Sequence, residues 1–203
     1  LSDSSPDQKL LVNLGSGPEG VGRLPGFFTG WRQVRVDVDP AAQPDLLASI
    51  TDLSAIASET VDAVWASHCV EHLYRHETGM ALSEMRRILG PNGFVCIRVP
   101  DLQTIAGFIA ADRMHEVIYE SPAGPVTPHD VVFGYGPDVS AGRVAMAHRT
   151  GFTPTFLVQS LTGAGFDSFL IRRSATLELV AVARRGAWAS DTEPASLLNA
   201  LGF

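Results

Sequence analysis

Cysteine is nearly missing from these 203 residues, and the two present, Cys69 and Cys96, stand far apart among apolar neighbours. Two such thiols exclude a disulfide-stapled scaffold and suit a reducing compartment. Positive charge is also short, with Lys+Arg 15 against Asp+Glu 22 and a formal net charge of −7. No basic run interrupts that balance, so the chain lacks the electrostatic footprint of a nucleic-acid binder. Nor does any apolar stretch approach the roughly 20 residues that a membrane helix needs. The polar start, Leu1-Ser2-Asp3-Ser4-Ser5-Pro6-Asp7, carries no signal-peptide core. The expectation is a cytoplasmic protein with no membrane or nucleic-acid partner, whose residues 1–8 form a disordered lead.

What is present is ordinary for a globular chain: 45% hydrophobic and 18% charged residues, in a length that suits one well-cored domain. Apolar runs at Lys9–Leu14, Val34–Val38, Leu46–Ile50, Val61–Ser67 and Phe94–Val99 read as buried strands. Between the last two, Met80, Leu82, Met85, Ile88 and Leu89 recur at helical spacing, and Gly90-Pro91-Asn92-Gly93 should stop that helix. Strand–helix–strand alternation predicts an α/β fold with a doubly wound, mostly parallel sheet. Thr153-Pro154 then opens a helix with Phe156, Leu157, Leu161 and Ala164 on one face. Ser168–Arg172 and Leu177–Ala183 are joined by a link too short for a parallel crossover, so they form an antiparallel hairpin. The domain is therefore expected over 9–185. Within it, 101–150 is an insertion or lid with a helix near Leu102–Ile118 followed by a long loop. Residues 186–203 read as an appendage, whose apolar helix around Pro194–Leu201 offers a docking face for a second copy of the chain.

The first strand runs into Gly15-Ser16-Gly17-Pro18-Glu19-Gly20, which fits the G-x-G-x-x-G nucleotide fingerprint. Glycines in such a turn let backbone approach a ligand closely. Asp37, at the end of the second strand, is spaced as a carboxylate that accepts both ribose hydroxyls. The continuation Val21-Gly22-Arg23-Leu24-Pro25-Gly26 is a poor helix, and a diphosphate would lose its anchor there. A ligand with an adenosine but no phosphates fits better than a nicotinamide cofactor.

Five motifs in order resemble those of class I S-adenosylmethionine-dependent methyltransferases over most of residues 9–185. They are Asn13-Leu14-Gly15-Ser16-Gly17, Asp37 in Val36-Asp37-Val38-Asp39, Asp52-Leu53, Asp62 through Leu73, and Arg86-Arg87-Ile88-Leu89-Gly90-Pro91-Asn92-Gly93. A late His148-Arg149-Thr150-Gly151-Phe152-Thr153-Pro154 segment is similar to one in small predicted methyltransferases of that group. The resemblance implies a seven-stranded Rossmann-like sheet and S-adenosyl-L-methionine as cofactor. It assigns cofactor contacts to Asn13, Gly15, Ser16 and Gly17, to Asp37 and Val38, to Asp52 and Leu53, and to Ser67. Two positions depart from the pattern: Asn13 replaces the usual acid, and Glu19 takes the third-glycine position.

The resemblance also puts the substrate beyond the fourth and fifth strands, under the insertion. His68 there is the candidate base for an oxygen nucleophile, with packing or cofactor contact as its other reading. His72, His129, Tyr135 and His148 are candidate substrate contacts, and each also reads as an ordinary polar residue. His68-Cys69-Val70-Glu71-His72 matches the inverted zinc motif H-x-x-E-H, which needs both imidazoles on one helix face. Because His68 ends a strand, the two rings should diverge, and no metal is expected. The acceptor implied is a small molecule or a saccharide, methylated at oxygen. Two other readings remain: a nicotinamide-dependent oxidoreductase, and a non-catalytic binder of S-adenosylmethionine or S-adenosylhomocysteine.

Overall fold

The computed structural model describes residues 8–20 and 24–203. The expected lead over residues 1–8 falls outside them except at Gln8. Strands β1 (Leu10–Leu14), β2 (Arg32–Asp37), β3 (Leu46–Leu47) and β4 (Val61–Ser67) come first, followed by helix α1 (Arg75–Ile88) and strand β5 (Leu89–Pro100). Helix α2 (Leu102–Ala110) leads to a small hairpin, β6 (Tyr119–Ser121) and β7 (Gly124–Val126), and to short helices α3 (Pro128–Phe133) and α4 (Gly136–Ser140). Helix α5 (Pro154–Gly163), strands β8 (Ser168–Arg173) and β9 (Glu178–Arg184), and helix α6 (Glu193–Ala200) complete the chain.

Seven strands form one sheet in the order β3-β2-β1-β4-β5-β9-β8. The pairs among β1 to β5 are parallel, while β9 runs antiparallel to both β5 and β8. The doubly wound sheet and the terminal hairpin thus follow the sequence pattern. The strand order reverses between β1 and β4, and open α/β sheets hold ligands at the carboxyl ends flanking such a point.

Alternation along the central strands feeds two cores. Val12, Leu14, Val64 and Ala66 face α1 and α5, meeting Leu82, Met85, Leu157 and Leu161. Leu11, Ala63, Trp65 and Cys96 face the other way. Of the described residues between β1 and β2, only Gly26–Phe28 are helical, as a single 3-10 turn. Phe27, Phe28 and Trp31 from that link, together with α6 and Phe203, cover this second face instead. Phe203 stacks on Trp65 with ring centroids 6.3 Å apart. Leu198 of α6 is fully buried. The terminal helix therefore packs on the chain's own sheet.

Several local expectations are corrected. Met80 points to solvent at 50% exposure, and the buried face of α1 is Thr78, Ala81, Leu82, Met85 and Ile88. The helix stops at Ile88, next to Gly90–Gly93 as expected, but those residues belong to β5 instead of preceding it. Leu89 already pairs with Val61, and the extra residues are absorbed where the β4–β5 register shifts. The third strand spans two residues, because Ala48 leaves the ladder after donating to Asp37 O. The expected helix to Ile118 ends at Ala110, and the long loop is instead β6, β7, α3 and α4. These enclose a small core of Ile105, Val126 and Val131.

Candidate active site at the carboxyl edge of the sheet

The turn after β1 is shaped by two glycines with left-handed backbone, Gly15 at φ +61 and Gly17 at φ +60. Gly15 also abuts the chain leaving β4, where an added Cβ would lie 2.5 Å from Cys69 Cβ. The turn is pinned to β2 by Ser16 N–H donating to Val36 O at 3.2 Å and Gly17 N–H donating to Asp37 Oδ2 at 2.8 Å. Asp37 Oδ1 accepts from Asp39 N–H at 2.9 Å. Each carboxylate oxygen thus keeps a lone pair free, which is what two ribose hydroxyls need. A cradle too tight for a side chain, beside an acid with spare acceptors, fits an adenosyl group.

Asn13 is buried on the face of Leu11 and Trp65, where the register sets it opposite Trp65 in β4. Val38, just past β2, is 57% exposed at the edge. Asp52 is exposed and accepts from Ser54 N–H, and the Ser54 side chain, followed by that N–H, lowers its pKa. Leu53 is fully buried, and its backbone is clamped between Glu84 and Arg87 of α1.

Past β4 the chain turns sharply, with His68 at φ +52, a conformation that costs a non-glycine residue energy. The turn sets His68 between two carboxylates: Nδ1 lies 3.2 Å from Glu71 Oε1 and Nε2 lies 3.1 Å from Glu178 Oε1. Burial pushes the imidazole pKa down, but hydrogen bonds to Glu178 and Glu71 and their charges outweigh it and raise it to about 9. Arg98 of β5 completes the chain of charges, donating Nη2 to Glu178 Oε2 at 2.8 Å and Nη1 to Ser67 Oγ at 3.3 Å. Its guanidinium also lies 5.1 Å from the Phe203 ring centroid. Burial raises the Cys69 thiol well above its ordinary range, with Glu71 and Asp37 adding to the effect.

The remaining candidates divide into two groups. His72, on the 3-10 turn Val70–His72, and His148 approach to 4.9 Å between ring centroids. Each holds a backbone carbonyl through Nδ1, His72 that of Ala147 at 3.2 Å and His148 that of Val131 at 2.7 Å. His148 shares a cleft of about 190 Å³ with Glu71, Leu102, Val131 and Phe133. His129 and Tyr135 are engaged elsewhere. His129 packs between His115 and Phe133, and the Tyr135 hydroxyl donates to Ala123 O at 2.7 Å, bracing the β6–β7 hairpin.

Arg98 and Glu178 complete the surroundings of His68 without having been singled out in the sequence, where Glu71 stood only as part of the H-x-x-E-H pattern. A charge inside the apolar run Phe94–Val99 was a usable signal for Arg98. Glu178 had none, because its partner is set by antiparallel pairing of strands distant in sequence.

The strand order, the glycine turn and the acid closing β2 define a Rossmann-like methyltransferase fold. Residues 22–97 match the family described as a methyltransferase domain, about a third of the chain. A protein of Pyrococcus horikoshii is similar in structure, with a TM-score of 0.57 and 14% identity over 87% of this chain and 82% of that one. An S-adenosylmethionine-dependent methyltransferase of Methanosarcina mazei is similar with a TM-score of 0.55 and 12% identity, over 87% of this chain and 92% of that one. One from Archaeoglobus fulgidus has a TM-score of 0.54 and 15% identity, over 87% and 86% respectively. Identities this low establish the shared fold. No curated protein sequence matches the chain. The fold is that of class I S-adenosylmethionine-dependent methyltransferases, and residues 22–97 are similar to a methyltransferase domain.

Proposed function

We propose that this chain methylates an oxygen of a small molecule or saccharide bound under the insertion. One observation carries the reading: residues 68–72 serve both the glycine turn and the cleft. Cys69 is the wall against which Gly15 packs, and Glu71 lines the cleft beneath the insertion. The cofactor supplies an activated methyl on a sulfonium. What the protein must add is alignment of the acceptor with that methyl, which can contribute several kcal/mol. Gly15, Ser16, Gly17 and Asp37 hold the nucleoside in this reading, with Asn13, Val38, Asp52, Leu53 and Ser67 around it. A cleft of about 190 Å³ suits one sugar ring or a comparable group. The net charge of −7 disfavours a phosphate-rich polymer.

His68 is a positioning residue in this scheme, not a base. Carboxylates only accept hydrogen bonds, so an imidazole bonded to one at each nitrogen must carry both protons. His148 lines the cleft and faces the acceptor, with His72 packed beside it, while His129 and Tyr135 support the insertion. The two buried free thiols accord with a cytoplasmic location.

The test is calorimetric titration with S-adenosylmethionine, S-adenosylhomocysteine and NAD, followed by labelled-methyl transfer to a panel of saccharides and phenols. Binding of NAD alone overturns the reading. Val131→Trp, which fills the cleft, should abolish transfer while leaving S-adenosylhomocysteine affinity within about twofold. Unchanged transfer by that variant places the acceptor elsewhere.

A further inference from the structure

Glu71 is 1% exposed, and only one of its two carboxylate oxygens is satisfied. Oε1 faces His68, while Oε2 is buried with no hydrogen-bond partner among the described residues. A buried carboxylate oxygen left bare is costly unless something neutralises it. His72 and His148 stand beside it, and one potential ligand atom from each of the three side chains lies within 4.8 Å of the other two.

The two histidines are held in a consistent way. A carbonyl can only accept, so His72 and His148, bonded through Nδ1 to Ala147 O and Val131 O, must carry their protons there. That tautomer leaves both Nε2 lone pairs free. Metal-ligating histidines are oriented by such a bond from the far ring nitrogen to a backbone carbonyl or carboxylate. The carboxylate is oriented likewise, by His68 on its other oxygen.

We infer that Glu71 Oε2, His72 Nε2 and His148 Nε2 form a binding site for a divalent transition-metal ion, with zinc the first candidate. Two imidazoles and one carboxylate suit zinc, manganese or iron rather than magnesium or calcium, which prefer oxygen. One potential ligand atom of each side chain already lies within 4.8 Å of the other two, and ligands about 2.1 Å from a tetrahedral zinc stand about 3.4 Å apart, so side-chain rotation has to bring the three donors together. Three protein ligands leave a position open. Glu71 and His148 also line the cleft, so that position faces it and takes an oxygen donor, either a hydroxyl or a carboxylate. His68 takes no part in the site because Glu71 and Glu178 occupy its two nitrogens. His148 fills the vacant role from across the fold.

The link to the acceptor rests on the methyltransferase reading, but metal binding itself does not. The protein, stripped with chelator and dialysed, is titrated with zinc and followed by calorimetry and metal analysis. It is also titrated with cobalt and followed by visible absorption. One equivalent of zinc should bind, and cobalt should give the d–d bands of a low-coordinate nitrogen and oxygen site. His72→Ala, His148→Ala and Glu71→Gln should each weaken zinc at least about tenfold, and His129→Ala should not. Circular dichroism melts report whether each variant is folded. If His148→Ala fails to fold, His148→Gln, which keeps a polar side chain there, replaces it.

No stoichiometric uptake by the unaltered protein overturns the proposal, and so does uptake that folded variants leave unchanged. Zinc uptake without S-adenosylmethionine binding would sustain the metal site and remove the methyltransferase reading. The reverse result would do the opposite.

Discussion

Gly15 lies so close to Cys69 that a methyl group at Gly15 would sit 2.5 Å from the cysteine Cβ. This contact joins the end of β1 to the turn after β4, the two ends between which the sheet order reverses. Gly15→Ala must therefore meet both a steric clash and a φ of +61. It should destabilise the fold by about 2–4 kcal/mol and weaken S-adenosylhomocysteine at least tenfold. Adding Cys69→Gly should recover part of the stability, because the clash is relieved and the backbone strain is not. Urea denaturation of the single and double variants measures both parts. Equal stability of the two would show that the contact does not matter.

Asp37 should govern the shape of the turn as well as any ribose contact. Its carboxylate accepts from Gly17 N–H and Asp39 N–H on separate oxygens. Asn can accept on only one, so Asp37→Asn leaves a backbone donor without its partner. The expected result is a loss of about 1–2 kcal/mol in stability and at least tenfold in cofactor affinity. Calorimetry showing unchanged affinity would take Asp37 out of the site.

Asp101 gives a pH dependence with a definite sign. It caps α2 through Gln103 N–H and Thr104 N–H, and it pairs with Arg173 Nε at 2.7 Å while almost fully buried. Burial raises its pKa, but the Thr104 and Arg173 hydrogen bonds and the Arg173 charge more than offset that and hold it below the ordinary value. A carboxyl with a lowered folded-state pKa stabilises above its unfolded value of about 3.9 and loses that contribution as pH falls through the folded value. Asp101→Asn should therefore cost about 1–3 kcal/mol at neutral pH, and the gap to the unaltered protein should shrink below about pH 4. Denaturant midpoints for both proteins across that range decide it. A gap that is constant with pH would mean the charge contributes nothing.

Leu198 tests whether the end of the chain belongs to the core. It is fully buried against the second face of the sheet, beside Trp65 and Val180. Leu198→Ala should cost about 2–5 kcal/mol, the range for a core leucine. A loss below about 0.5 kcal/mol would be the behaviour of a loose tail.

Much of the fold was legible because its signals are local. The Val and Leu runs of β1, β2 and β4 announced strands, of which β1 and β4 are buried almost throughout, and Thr153-Pro154 marked the start of α5. The brevity of the link between β8 and β9 forced an antiparallel pair. Met80 misled because helical spacing fixes a period but not its phase, and packing against β4 and β5 chose Thr78 and Ala81 instead. The insertion was illegible for a related reason. Its two-strand hairpin and short helices are stabilised by a shared small core around Ile105 and Val131, which no single segment reveals.

The sequence by itself determined the doubly wound architecture, the glycine turn with its acid at Asp37, and the unsuitability of the following segment as a phosphate-binding helix. These follow from periodicity, backbone freedom and spacing within short stretches. Only the tertiary structure decided what the histidines touch. That His68 is held on both sides depends on Glu178, and that His72 has a neighbouring imidazole depends on His148, both supplied by distant segments. Protonation and ligation are set by what lies within a few ångströms, and chain folding, not chain order, fixes those neighbours.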